Sequence, residues 1–351
     1  MVNKKKHRGR QMKALITACF DPTGLKLLRD HMEVRYESYR ETGKIYFDEE
    51  ELIQKIRDEG ADVLVVEADL VHDEVFEACP LKIVGCCRGD PLNVSREAAS
   101  ARGIPIFYAP ARNADAVADL TLGFILCLAR NIVTTNLRMR TGAVQIESPK
   151  DLLKVLDEYG GFELGSATIG LVGFGAVGRR VAGRLKGFGA RILVHDPYVP
   201  EETLRSAGVE PVSLADLLEK ADMVSLHSPE TPETLHMIGE KELARMKPSA
   251  FLINTARSFL TDEEALLTAL QERRIRGAAL DVFDEEPLQA DNPFLALDHV
   301  ICTPHLGGAA QDVVRHQSEM VAGDIVRYLR NEPPKHIWNP EALEAKRGGG
   351  G

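Results

Sequence analysis

The chain has 351 residues, 44% of them hydrophobic and 27% charged, which is more than one ordinary hydrophobic core accommodates. Its net charge of −10 argues against general nucleic-acid binding, which needs clustered cations along a phosphate backbone. No apolar run is long enough to span a bilayer and no signal-peptide core follows the basic start, so no membrane partner is expected. The six cysteines (Cys19, Cys79, Cys86, Cys87, Cys127, Cys302) show neither zinc spacing nor a disulfide framework, so reduced thiols in a cytoplasm and no bound metal are expected.

"MVNKKKHRGRQ" is polar and basic, and "KRGGGG" closes the chain; residues 1–11 and 344–351 read as solvated tails. Between them, β-rich runs alternate with helical patterns, the signature of parallel α/β layers. The first series runs "KALITA", "DVLVVE", "KIVGC" and "IPIFY", with helices near 23–31, 49–58 and 95–102. Residues 113–132, "NADAVADLTLGFILCLARNI", are apolar over most of a helical circumference, which places that helix either deep inside or in a subunit interface. "SPKDLLKVLDEYGG", 148–161, interrupts the rhythm: Ser148 can cap, Pro149 suits a first turn, and the double glycine ends a short surface helix. A second series follows, "TIGLV", "RILVH", "DMVSLHS", "AFLINTA", "GAALDVF" and "HVICTP". The last long helix, roughly 309–330, precedes an irregular "NEPPKHIWNPE".

"LVGFGAVGRR" sets Gly173, Gly175 and Gly178 at the spacing G-x-G-x-x-G, weak evidence alone but here preceded by a strand and followed by a helix. Gly173 permits a tight turn, Gly175 lets backbone amides approach a pyrophosphate, and Gly178 lets the helix pack on the strand. The next strand ends in Asp196, whose carboxylate can accept from ribose hydroxyls and would repel a 2′-phosphate, favouring NAD over NADP. In an open α/β sheet ligands sit beyond the carboxyl ends of the strands, where the second series places Asp196, Ser228, Arg257, Asp281 and His305. Arginine can fix a carboxylate, histidine can move a proton and a carboxylate can orient the ring, a set suited to hydride transfer on a 2-oxo acid. Singly, Arg257 and Glu286 could be a surface ion pair and His305 a strand-end histidine bonded to backbone; at successive strand ends they read as one set. His195 reads as a strand end, His227 as lining the cofactor side.

Together "GFGAVGRRVAGRLKGFGARILVHDPYV", "LINTARS", "ALDVFDEEPL", "TPHLGGAA" and "WNPE" resemble the D-isomer-specific 2-hydroxyacid dehydrogenases, the family of phosphoglycerate dehydrogenase, glyoxylate reductase and D-lactate dehydrogenase. The resemblance implies an α/β chain of two doubly wound parallel-sheet domains. A Rossmann NAD-binding domain, 113–307, would be inserted into a flavodoxin-like substrate domain, 12–112 plus 308–343. It implies an NAD-dependent oxidoreductase interconverting a D-2-hydroxy acid and its 2-oxo acid, such as a hydroxypyruvate or glyoxylate reductase or a short phosphoglycerate dehydrogenase. Arg257 would bind the substrate carboxylate and keto oxygen, His305 would be the acid/base, and Glu286, rather than Glu285, would pair with it. Asp281 would bind the nicotinamide carboxamide. The cofactor set would comprise Gly173, Gly175, Ala176, Val177, Gly178, Asp196, Ser228, Pro229, Thr234, Thr255, Ala256, Asp281 and Gly307. A homodimer through the NAD domains is also implied.

Departures from the family pattern bear on the substrate. The substrate loop, usually G-R-A-G-x-G-x-D-N, is "GCCRGDPLNVS", so Arg88, Gly89 and Asp90 become the substrate-binding candidates beside Arg257 and His305. Residue 310 is alanine, and the 148–161 segment is inserted. Arg88 or Arg112 could add positive charge, favouring acids with a second anionic or hydroxylated group. The alternative from another class is an NAD-sensing scaffold like the C-terminal-binding corepressors.

Overall fold

A computed structural model describes residues 10–348; the basic start and the last three glycines lie outside the described residues. The chain divides into two compact units, one built from residues up to Arg112 and again from Gln311, the other from Asn113–Ala310.

In the first unit, β1 (Lys13–Ile16), β2 (Glu33–Tyr36), β3 (Val63–Val66), β4 (Ile83–Cys86) and β5 (Ile106–Tyr108) form one sheet, order β2-β1-β3-β4-β5, every neighbouring pair parallel. β3 and β4 are buried at every residue, as continuous apolar runs must be when helices cover both faces. β2, "EVRY", is the edge strand; its two charges and partial exposure hide it from a reading based on apolar runs. The helix Gln311–Leu329 covers one face, burying Val321, Ala322, Ile325 and Val326 with Ile16, Val65 and Phe107. Gly85 makes this approach possible, since a Cβ there would lie 2.6 Å from Val321 Cγ1.

The irregular segment that follows is pinned by buried polar side chains. Asp324 accepts from the amides of Lys335 (2.7 Å) and His336 (2.9 Å). Asn339 accepts from Ile106 N at 2.7 Å and donates to Ile104 O at 2.9 Å, which docks "WNP" onto β5. A final helix, Glu341–Gly348, then runs into the stretch read from composition as an unstructured tail. Its first turn is acidic, which suits the positive end of a helix, and Glu341 takes two bonds from Arg96 at 3.0 and 3.1 Å.

The second unit holds β6 (Thr168–Val172), β7 (Arg191–His195), β8 (Glu210–Pro211), β9 (Met223–Leu226), β10 (Phe251–Asn254), β11 (Gly277–Leu280) and β12 (Val300–Cys302). They form a parallel sheet in the order β12-β11-β10-β9-β6-β7-β8. The apolar helix is Ala114–Ala129; it buries Ala118, Thr121, Phe124, Ile125 and Leu128 in the core shared with the helix Ala176–Lys186. Ion pairs Arg180–Asp115 (2.8 Å) and Arg184–Asp119 (2.6 Å) fasten the same two helices. The apolar run does not continue to Ile132 as one helix: Asn131 adopts φ 52°, which asparagine tolerates, and a second helix, Ile132–Arg140, begins. Ser148 caps the helix Pro149–Tyr159 through Asp151 N, as the capping pattern predicts, and that helix buries no residue. No single helix among the described residues is long and apolar enough to cross a membrane.

Gly85→Ala should force apart the β4 and Gln311–Leu329 backbones and lower unfolding stability by about 1–3 kcal/mol, measurable as a reduced denaturant midpoint.

Candidate active site

The second sheet reverses direction at β6: the chain steps outward to β7 and β8, then returns to lay β9, β10, β11 and β12 on the other side. Above the carboxyl ends at such a reversal the loops diverge and leave a crevice. The glycine turn after β6 sits there. Gly173 has φ 99°, and a Cβ on it would lie 2.7 Å from the His227 carbonyl, so only glycine fits. A Cβ on Gly178 would lie 2.3 Å from Gly173 O, which is the close helix–strand packing the spacing predicts. Gly175 is the opposite case: nothing lies within 4 Å of its missing Cβ.

Gly175 is also the N-cap of the helix Ala176–Lys186, which has no side-chain cap among the described residues. An open glycine at an uncapped helix N-terminus fits a pyrophosphate. Ala176 is exposed there and Val177 half-buried. Asp196 follows β7; its Oδ2 accepts from Phe174 N at 2.7 Å and its Oδ1 from Tyr198 N at 2.9 Å. The acid therefore also braces the glycine turn, which the sequence spacing alone does not show. Beneath the turn, His227 is buried and bonded through Nε2 to Ser225 Oγ at 3.0 Å; burial lowers its pKa to about 4, so the ring is neutral. His195 bonds through Nδ1 to Val212 O, as a strand-end histidine.

Past β9, Ser228 Oγ donates to Val172 O at 3.3 Å. Thr234 closes the loop, accepting from Thr231 N (2.9 Å) and donating to Pro229 O (2.8 Å). Past β10, the buried Asn254 accepts from Ala256 N (3.1 Å) and donates to Arg257 O (2.8 Å), fixing the turn that carries Arg257. Thr255 is buried, its hydroxyl 2.7 Å from that of Thr121. Arg257 is exposed and spends Nη1 on Ala256 O at 2.7 Å.

Asp281, just past β11, is 1% exposed. Its Oδ1 accepts from Thr303 Oγ1 (2.5 Å) and Leu306 N (2.7 Å), its Oδ2 from Gly307 N (2.7 Å), and its carbonyl from His305 N (2.9 Å). This carboxylate holds the turn that carries His305, a role the sequence did not reveal. Gly307 permits the approach, since a Cβ on it would lie 3.0 Å from Asp281 Oδ2. Within the turn His305 has φ 55°, a left-handed conformation costly for a residue with a Cβ and sustained by the surrounding bonds. Its Nδ1 lies 2.7 Å from Glu286 Oε2, and Glu286 is steadied in turn by Phe283 N at 3.2 Å. A carboxylate accepts, so Nδ1 carries the proton and Nε2 is left for proton exchange. Glu285 is exposed and makes no such bond among the described residues.

In the first unit the candidate loop begins past β4. Arg88, Gly89 and Asp90 are all exposed, and Arg88 O accepts from Ala109 N at 2.9 Å. Among the described residues Arg88 forms no ion pair, whereas Arg112 is engaged by Glu67 at 2.8 Å and by Gln317. The thiols behind the loop are poor nucleophiles: burial pushes Cys86 up to about 12 and raises Cys87 as well.

Comparison with known proteins agrees with this geometry. The profile of the D-isomer specific 2-hydroxyacid dehydrogenase NAD binding domain matches residues 122–307. The chain is 40% identical over 319 residues, 90% of each chain, to YoaD of Bacillus subtilis, which carries the name of a 2-hydroxyacid dehydrogenase. It is 38% identical over 296 residues, 84% of this chain and 87% of its relative, to the glyoxylate reductase of Korarchaeum cryptofilum. The crystal structure of TT0316 from Thermus thermophilus superposes with a TM-score of 0.75 at 33% identity, covering 93% of this chain and all of that one. The chain belongs to the D-isomer-specific 2-hydroxyacid dehydrogenase family, with a Rossmann domain that binds NAD.

Proposed function

We propose that this protein reduces a small, monoanionic 2-oxo acid, glyoxylate or hydroxypyruvate, to the D-2-hydroxy acid in the cytoplasm, with Arg257, Glu286 and His305 as its catalytic residues. NAD-dependent oxidoreduction of a D-2-hydroxy acid is the reaction of its family. The observation that carries the residue assignment is the His305–Glu286 bond of 2.7 Å, on a turn clamped by Asp281 within the sheet that also presents Arg257. NADH, held at the glycine turn and the N-terminus of the helix Ala176–Lys186, would supply the hydride. Arg257 anchors the carboxylate and polarises the keto oxygen. His305, protonated on both nitrogens, gives its Nε2 proton to that oxygen while Glu286 stabilises the ring's charge and holds its orientation.

The choice of acid rests on two supports. A relative named glyoxylate reductase is similar over most of both chains. Of the two arginines that could receive a second anionic group, Arg112 is already paired with Glu67, which leaves fewer free cations for a dianionic acid; Arg88, with Gly89 and Asp90, remains the substrate-loop candidate for a hydroxylated far end. A panel of 2-oxo acids assayed by NADH oxidation should rank glyoxylate and hydroxypyruvate above pyruvate, and Arg88→Glu should narrow the preference for hydroxypyruvate over pyruvate. An unchanged ranking removes Arg88 from substrate recognition.

The pair assignment predicts that His305→Gln lowers turnover roughly 100-fold or more while NADH still binds by fluorescence titration. Glu286→Gln keeps the shape but removes the carboxylate that accepts from His305 Nδ1, and should lower kcat by roughly 10-fold or more while NADH still binds; an unchanged kcat would refute the pairing.

Asp196 ends β7, where an adenosine ribose would come, and no arginine follows it in "DPYVP", so NADH should far outperform NADPH in kcat/KM. Asp196→Ala should narrow that gap, with some loss of stability because Phe174 N loses its acceptor.

We infer also a homodimer, formed through the second unit by the apolar residues left outside its core. Ile132, Val133 and Leu137 of one helix and Leu152, Leu153 and Leu156 of the capped helix are exposed. Light scattering should give twice the 38.6 kDa chain mass, and Leu153→Asp should shift it toward the monomer.

A further inference from the structure

Arg257 can present two edges to a carboxylate, one formed by Nη1 and Nη2 and the other by Nε and Nη2. The first is compromised, since Nη1 donates to Ala256 O at 2.7 Å, one residue back along the chain. That leaves the Nε edge for two parallel bonds. On that edge already stands Glu230, its Oε2 4.0 Å from Arg257 Nε, at ion-pair rather than hydrogen-bond distance. Glu230 lies in "SPETPET", where Thr234 ties Pro229 O and Thr231 N together, so its backbone is held while its side chain is exposed. No other carboxylate among the described residues pairs with Arg257, and Arg257 is the sole ion-pair partner shown for Glu230.

We propose that Glu230 is a specificity-determining residue: an internal competitor for the guanidinium edge that takes the substrate's carboxylate, which selects against 2-oxo acids bearing a second carboxylate. The proposal rests on the reading of Arg257 as the carboxylate anchor. Each incoming oxo acid must displace Glu230 from the edge or share Arg257 with it. A monoanion meets that cost once. A dianion also brings its second charge toward a carboxylate that stays tethered nearby, and like charges in partly exposed sites repel. The chemistry favoured is a compact acid with a neutral far end, an aldehyde hydrogen or a hydroxyl.

Steady-state kinetics of wild type, Glu230→Gln and Arg257→Gln test this, with glyoxylate as the monoanion and 2-oxoglutarate as the dianion. Glutamine keeps the shape and removes the charge. Glu230→Gln should lower KM for glyoxylate roughly two- to five-fold, the range of an exposed ion pair, with a smaller change in kcat. The gain in kcat/KM should be larger for 2-oxoglutarate. Raising ionic strength from about 0.05 to 0.5 M should shrink the difference between wild type and variant, because salt screens an exposed charge; a merely structural change would not respond in this way. Arg257→Gln separates the two readings. If it lowers kcat/KM by roughly 100-fold or more while Glu230→Gln leaves both KM values and their salt dependence unchanged, the anchor stands and the competitor is overturned. If Arg257→Gln retains near wild-type kcat/KM, the anchor fails and the proposal falls with it.

Discussion

The geometry of the candidate site hangs on the carboxylate of Asp281. It is almost wholly removed from water, and burying an ionised carboxylate is costly unless its oxygens are met by donors. Here the donors are the hydroxyl of Thr303 and the amides of Leu306 and Gly307, all from one turn. The need to satisfy the buried charge and the need to hold His305 in a left-handed conformation are met by the same bonds. Because the turn is fixed at its base, His305 Nδ1 meets Glu286 without a search over ring orientations, the preorganised geometry that the proposed proton transfer would start from.

The glycine turn illustrates a related economy of space. Two of its three glycines are required by atoms of the protein itself: Gly173 by the His227 backbone and Gly178 by Gly173 O. Gly175 has no such neighbour. Its freedom is therefore meaningful only with respect to something that arrives from outside, and the uncapped helix behind it attracts an anion. Asp196 serves both sides, bracing Phe174 N while remaining at the end of β7 where a ribose would come.

Much of this was legible in the sequence. The strand runs were long, apolar and followed by helical periods, and the reactive side chains stood at their carboxyl ends. What escaped reading had physical reasons. The edge strand β2 carries charges, because one flank faces water, so no apolar run marks it. The break at Asn131 lies inside an apolar stretch whose periodicity runs on, since composition does not report a single left-handed residue. The closing helix, Glu341–Gly348, precedes the glycines that suggested a tail, and it is anchored by a pairing between Glu341 and Arg96 that are remote in sequence. At the site, the bracing roles of Asp281, Asn254 and Asp196 depend on where backbone amides converge, which spacing does not encode. The approach of Glu230 to Arg257 joins two loops that the sequence keeps apart.

The docking of Asn339 and of the helix Gln311–Leu329 onto the first sheet has a consequence for how the chain acquires its structure. The second unit is continuous, so every contact in its core can form once residues 113–310 exist. The first unit is discontinuous: β5 waits for Asn339, and the face lined by Ile16, Val65 and Phe107 waits for Val321 and Ile325. Closing that gap confines the whole intervening segment, an entropic cost that a folded, compact insert reduces by bringing its own ends together. A folded second unit thereby lowers the cost of completing the first, whose sheet stays without its covering helix during synthesis until the residues past Gln311 have been added.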